Sequence, residues 1–187
     1  MSLRGYISLR PNERRVRVND KQSWYAIYTK PNAEKKLHAR LIERGFESCL
    51  PMRWVEKVWS DRKKMIEEPV FKSYLFARCD DQGLHEIKAL MGFSYFLRFG
   101  GYPVTIPDEQ IEMLAQLNEL HQEMEALPTQ LVKGDRVRVL SGPLKGKIGF
   151  LVQHCGKYKV GVNIAELEQT LLVTLPESDL VKEEVAA

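Results

Sequence analysis

The chain changes character at Pro128, and that change constrains the fold more than any other feature. Before it, aromatic and β-branched runs alternate with stretches whose apolar residues recur every three or four positions, a mixture of strands and helices in one layered domain. After it, Lys133–Lys182 is punctuated by glycine and carries no strong helical period. Arg136-Val137-Arg138-Val139, Ile148–Val152, Tyr158–Val162 and Leu171–Leu175 are short strand-like runs. Strands so short and closely spaced predict a small barrel of about five strands. A chain of 187 residues has room for both parts.

In the first part, Trp24–Thr29 reads as a buried strand and Pro31-Asn32 as the start of a helix over about Ala33–Arg44, with Asn32 as its cap and Gly45 as its end. Ser48–Trp59 and Met65–Glu68 predict a hairpin whose tip carries Arg62, Lys63 and Lys64. Val70–Ala77 follows as a strand apolar on both faces, with Phe71, Leu75 and Ala77 on one side and Tyr74 and Phe76 on the other. Asp80 or Asp81 caps a short helix that stops at Gly92, and Phe93–Phe99 and Tyr102–Ile106 flank a Gly100-Gly101 turn. Asp108 opens a last helix that runs to Leu127, because Met113, Leu117, Leu120, Met124 and Leu127 recur at alternating spacings of four and three. The expected class is α+β: an antiparallel sheet flanked by helices, followed by a small five-stranded β-barrel. The expected division is a basic flexible tail over 1–21, a first domain over 22–127, a linker over 128–132 and a second domain over 133–183.

A net charge of +3 conceals segregation. Met1–Lys21 carries six Lys/Arg against two acids and Lys30–Arg44 five against two, whereas Val104–Gln130 has no Lys or Arg and Asp108–Glu125 holds six acids. Such separated faces suit work beside nucleic acid, and equally an ordinary solvated surface. Lys36 and Arg40 lie four apart on the first helix with Lys30 just before it, a spacing able to follow a phosphate backbone. The aromatic strand is likewise either core or a docking face.

Several classes are not expected. No apolar run reaches the ~20 residues of a membrane span, and the arginine-rich start has no apolar core of a secretory signal. Cys49, Cys79 and Cys155 are sparse and unpaired in spacing, which suits a reducing cytoplasm. The four histidines show no metal-ligand spacing, and no nucleophile elbow or phosphate loop occurs. We therefore expect no enzyme, no cofactor and no metal. The rival readings are a cysteine-dependent enzyme using Cys79 or Cys155 and a ribosome-associated or RNA-binding module.

An ordered set of strings resembles the NusG family of transcription elongation factors, and within it the specialised RfaH-like and UpxY-like paralogues. The strings are Ser23-Trp24-Tyr25, Thr29-Lys30-Pro31, Glu68-Pro69-Val70-Phe71, Ser73-Tyr74-Leu75-Phe76, Phe96–Gly101 and Ile106-Pro107. Gly134–Val139 and Gly142-Pro143-Leu144-Lys145-Gly146 look like the family's second domain, the KOW module. Phe71-Lys72-Ser73-Tyr74 stands where general members carry Phe-Pro-Gly-Tyr, which favours a specialised paralogue. The resemblance implies a factor that docks on the β′ clamp helices of RNA polymerase through Phe71, Tyr74, Phe76, Phe99, Ile111 and Leu114. It also implies contact with the non-template DNA strand through Lys30, Lys36 and Arg40, to which the hairpin cations Arg62, Lys63 and Lys64 are added. His85 would meet the opposite side of the polymerase cleft, and the KOW domain a small-subunit ribosomal protein or Rho. The chain would suppress pausing and termination, for a polysaccharide-type operon, as a cytoplasmic monomer. Glycines at 142, 146, 149, 156 and 161 with Pro143 make a long helix costly there, so the barrel is the expected ground state.

Overall fold

The structure is a computed structural model describing residues 7–8, 21–59, 62–128, 134–154 and 157–183. It divides into two units, Met1–Met52 with Phe71–Ala115, and Arg53–Val70 with Gln116–Ala187. In chain order the first unit contains β1 (Ile7–Ser8), β2 (Ser23–Thr29), α1 (Glu34–Glu43) and β3 (Glu47–Cys49). A hairpin of β4 (Met52–Val58) and β5 (Lys63–Pro69) follows, then β6 (Tyr74–Cys79), α2 (Asp81–Lys88), β7 (Phe93–Phe96), β8 (Arg98–Phe99), β9 (Tyr102–Pro103), β10 (Thr105–Ile106) and α3 (Asp108–Glu119). The second unit holds that hairpin from Arg53 on and the strands β11 (Met124–Pro128), β12 (Asp135–Val139), β13 (Ile148–His154), β14 (Lys157–Ile164), β15 (Gln169–Val173) and β16 (Leu180–Lys182). Of the expected tail, Ile7 and Ser8 pair with β3 and Lys21 is described, while 1–6 and 9–20 lie outside the described residues.

The first unit is built on an antiparallel sheet ordered β1-β3-β6-β2-β10, with β7 also on β2. Alternation gives this sheet two faces. Tyr25, Ile27, Leu75, Ala77 and Phe96 point to one, where Leu37 and Leu41 of α1 and Ile87 of α2 complete a buried core. Burial of each such aliphatic side chain contributes about 1.5–3 kcal/mol. Asp80 caps α2 as expected, its Oδ1 accepting the Gly83 N–H at 2.7 Å. Asn32 does not cap α1: it adopts φ 57, and Ala33 occupies the cap position without a side-chain bond. Gly45, at φ 87, ends α1 where a left-handed residue is needed.

Two further expectations fail for physical reasons. The strand expected over Val70–Ala77 begins only at Tyr74, because Phe71–Tyr74 is a turn closed by Tyr74 N–H to Phe71 O at 3.1 Å, with Ser73 at φ 61. The turn breaks the alternation, so Phe71 joins Phe76 in an edge-to-face contact, centroids 6.0 Å apart, rather than the Leu75 face. The last helix stops at Glu119 instead of Leu127. His121 turns left-handed at φ 54, and Met124–Pro128 pairs through five positions with β15. Long-range pairing overrides a helical period there.

The second unit's sheet is antiparallel and ordered β11-β15-β14-β13-β12-β16: the four runs read from the sequence, with β16 bringing the number to the expected five, plus β11. β13 and β14 approach closely at Gly149, where a Cβ would stand 2.6 Å from the Gly161 carbonyl oxygen. A 3-10 turn, Ala165–Leu167, joins β14 to β15. The second unit takes in residues from Gln116 on and the hairpin, rather than starting at 133, and 129–133 of the linker region lie outside the described residues.

Candidate functional site

The sheet's second face carries the aromatic residues singled out from the sequence. Cross-strand partners share a face, so the pairs Ala26–Phe76 and Tyr28–Tyr74 place Trp24, Ala26, Tyr28, Tyr74 and Phe76 together. β7 adds Tyr95 opposite Tyr28, and β10 adds Ile106 opposite Trp24. Tyr28 stacks on Tyr95 with centroids 4.8 Å apart and meets Tyr74 edge-on at 5.1 Å. The row grades outward, from buried Trp24, Ala26, Phe76 and Ile106 to half-buried Tyr28 and Tyr74 and exposed Tyr95. On the neighbouring hairpin β8–β9, Phe99 and Tyr102 face each other across the strands, exposed by 86% and 79%.

The six expected docking residues therefore fall into two groups. Tyr74 and Phe99 reach the surface. Phe71, Phe76, Ile111 and Leu114 are exposed by 1%, 0%, 2% and 0%, so the docking surface expected from the resemblance is covered at these four positions. Side chains so completely covered make packing contacts within the chain, and a partner reaches them only after rearrangement. The sequence reading missed Tyr28 and Tyr95. Tyr28 shares the odd-even parity of Trp24 and Ala26, a signal present in the sequence; Tyr95 joins it through register alone.

The turn that sets Tyr74 is tied on both sides. Glu34, buried at the start of α1, accepts the Ser73 N–H through Oε1 at 2.8 Å, and the Ser73 carbonyl accepts the Thr29 N–H at 2.8 Å. The strained φ of Ser73 is thus held by one charge-assisted and one backbone hydrogen bond.

The expected nucleic-acid cations lie in two places, Lys30, Lys36 and Arg40 on or just before α1 and Arg62, Lys63 and Lys64 on the β4–β5 hairpin. Lys30 and Lys36 are exposed at and before α1. Arg40 is anchored, Nη1 donating to the Met91 carbonyl at 2.8 Å, which fixes its guanidinium beside the end of α2. Arg62, Lys63 and Lys64 lie exposed at the tip of the β4–β5 hairpin. Arg62 sits 5.9 Å from the Trp59 ring centroid, and Lys63 pairs with Glu56 at 3.5 Å. His85 is exposed on α2.

Chemistry of other kinds finds little footing. Burial pushes the Cys49 and Cys79 thiols up to about 12, with Asp80 and Asp81 adding to the effect at Cys79. A nucleophilic cysteine needs the opposite shift, so Cys79 is a core thiol; Cys155 lies outside the described residues. No group of three His, Cys, Asp or Glu suited to a metal ion occurs among the described residues. A cleft of about 610 Å³ opens in the second unit beside Val160, Leu175 and Leu180. Its two lysines are engaged, Lys182 with Asp135 at 3.1 Å and Lys159 with Glu123 and Glu125 at 3.4 and 3.6 Å. No helix among the described residues is long and apolar enough to cross a membrane.

Comparison with known proteins agrees with this architecture. Residues 22–115 match the profile of the family described as transcription termination factor nusG. The transcription termination/antitermination protein NusG of Rickettsia bellii (strain RML369-C) is 24% identical over 159 residues, spanning 78% of this chain and 83% of that protein. Among solved structures, NusG of Thermotoga maritima, from a study of its domain interaction, superposes with a TM-score of 0.59 at 23% identity, over 88% of this chain and 98% of that one. That likeness bears on the fold: an α+β domain followed by a small β domain. With the profile covering half of its length, this chain belongs to the NusG family of transcription termination and antitermination factors.

Proposed function

We propose that the chain is an antitermination and elongation factor of the specialised RfaH-like or UpxY-like kind, acting on a polysaccharide-type operon in the cytoplasm as a monomer. The first unit grips the β′ clamp helices of RNA polymerase, the basic groups hold the non-template DNA strand, and pausing and termination are suppressed without any chemical step. The observation that carries this reading is the exposed aromatic surface of the first unit. The stacked Tyr28–Tyr95 pair, Tyr74, and the Phe99–Tyr102 pair form rigid anchors of the type that dominates binding energy at protein interfaces. Engagement begins at Tyr74 and Phe99, and contact with Phe71, Phe76, Ile111 and Leu114 follows once those four are uncovered.

The displaced DNA strand offers phosphates and unstacked bases, which suits Lys30, Lys36 and Arg40 on one edge of the first unit. In this reading Arg62, Lys63 and Lys64 give the hairpin a second phosphate-binding tip, and His85 meets the far side of the polymerase cleft. The KOW domain recruits a small-subunit ribosomal protein or Rho. Single-round transcription over an intrinsic pause and a terminator tests the reading. Wild-type protein is expected to raise read-through, and Phe99→Ala to lose that effect while remaining folded. Read-through unchanged by the wild-type protein on every template, including the chain's own upstream operon region, would defeat it.

A further inference from the structure

The geometry points to the β15 edge of the second unit as a strand-accepting surface for an extended acidic peptide, occupied in the free protein by the chain's own β11. β15 ends the five-strand order β15-β14-β13-β12-β16, so without β11 it would present a row of unpaired backbone groups, a template for another strand. Met124, Glu125, Ala126, Leu127 and Pro128 take up that edge opposite Val173, Leu172, Leu171, Thr170 and Gln169. The occupant is poorly suited to the role. Met, Glu, Ala and Leu are among the strongest helix formers, and a Pro closes the strand. β11 is therefore a strand through its pairing partner rather than through its own preference, and it is replaceable.

The charges around it say what can replace it. Lys159, on β14, is only 5% exposed, and its Nζ lies 3.4 Å from Glu123 Oε1 and 3.6 Å from Glu125 Oε2. Thr174 Oγ1 donates to the other oxygen of Glu123 at 3.2 Å, and Arg53 of the hairpin reaches Glu125 at 3.7 Å while bonding Glu68 at 2.8 Å. Any strand laid in this place covers the same lysine, and a buried cation without a carboxylate is strongly disfavoured. The incoming segment must then offer two acids flanking an apolar residue, as Glu123-Met124-Glu125 does with Met124 buried between them. This surface does not depend on which complex the first unit joins.

The test is titration of a labelled synthetic peptide copying residues 122–128 into the full chain, read by fluorescence anisotropy. The double variant Ala126→Pro with Leu127→Pro removes whichever of the two amides faces β15, so the chain's own strand leaves. The peptide is expected to bind this variant at least about tenfold more tightly than wild type, because the open edge is then the populated state. Adding Lys159→Met to the variant should weaken binding about tenfold or more, as should a peptide with Gln in place of both acids. Should the proline variant fail to fold, Glu123→Gln with Glu125→Gln, which loosens β11 by removing its two carboxylates, carries the same expectation. Equal affinity for wild type and the opened variants, or binding indifferent to Lys159→Met, overturns the proposal.

Discussion

Replacing Glu34 tests how the Tyr74 turn is held. Ser73 sits at i+2 of the Phe71–Tyr74 turn at φ 61, where Gly is the residue without steric cost. General family members carry Gly at this place, whereas this chain has Ser and a buried carboxylate, Glu34 Oε1, on the Ser73 N–H at 2.8 Å. A hydrogen bond to a charged group is worth about 1.5–3 kcal/mol, and Glu34→Ala should cost that much stability. At roughly 2–4 °C per kcal/mol for a chain of this size, the melting temperature should fall by about 3–12 °C. Glu34→Gln keeps a neutral acceptor and should lose about half as much, since charge roughly doubles such a bond. Ser73→Gly should be neutral or gain up to about 1 kcal/mol, relief of the left-handed penalty being partly offset by the freer unfolded chain. Urea unfolding read from buried Trp24 reports on the first unit, because Trp54 and Trp59 are already exposed. Glu34→Ala within about 0.5 kcal/mol of wild type, the range of an ordinary surface substitution, would refute the assigned role.

Three further outcomes follow from the same structure. Phe76→Ala should cost about 3–5 kcal/mol in unfolding assays, as for a core aromatic rather than a surface contact. Changing Lys30, Lys36 and Arg40 together to Gln should flatten the plot of log affinity against log salt for single-stranded DNA by about 2, at about 0.7 for each phosphate no longer neutralised. An unchanged slope would remove α1 from the nucleic-acid surface. Stability should also fall in alkali. Cys49 and Cys79 have folded values raised to about 12 from 9.0, so the unfolded chain loses thiol protons first and stability declines as pH rises from 9 towards 12. By pH 10 the loss is on the order of 1 kcal/mol per thiol, and Cys49→Ala with Cys79→Ala should abolish that part of the slope in urea titrations at pH 8 and 10.

Local signals are legible in the sequence where local physics decides the outcome. The Trp24–Thr29 strand, the Asp80 cap and the Gly45 stop all follow from side chains acting on neighbouring backbone. Alternation alone puts Phe71 on the wrong face, because Lys72-Ser73 lacks the Pro-Gly punctuation that marks such a turn. The strand at Met124–Pro128 is hidden for a different reason: its spacing continues the helix, and only β15, some forty residues on, makes it extended. Within the candidate site, alternation places Tyr74 and Phe76 together. Their neighbours Tyr28 and Tyr95 come from sheet register, which no short-range pattern carries. Burial at Ile111 and Leu114 is likewise a tertiary property, invisible in a helical wheel.

The most direct test of the account is the affinity of purified core RNA polymerase for the full chain, compared with Tyr74→Ala and Phe99→Ala. Both side chains reach the surface, so the fold should survive their removal. The account predicts at least about a tenfold loss for each, a change of about 1.4 kcal/mol that is modest for an aromatic anchor. Undiminished binding by both folded variants would contradict it.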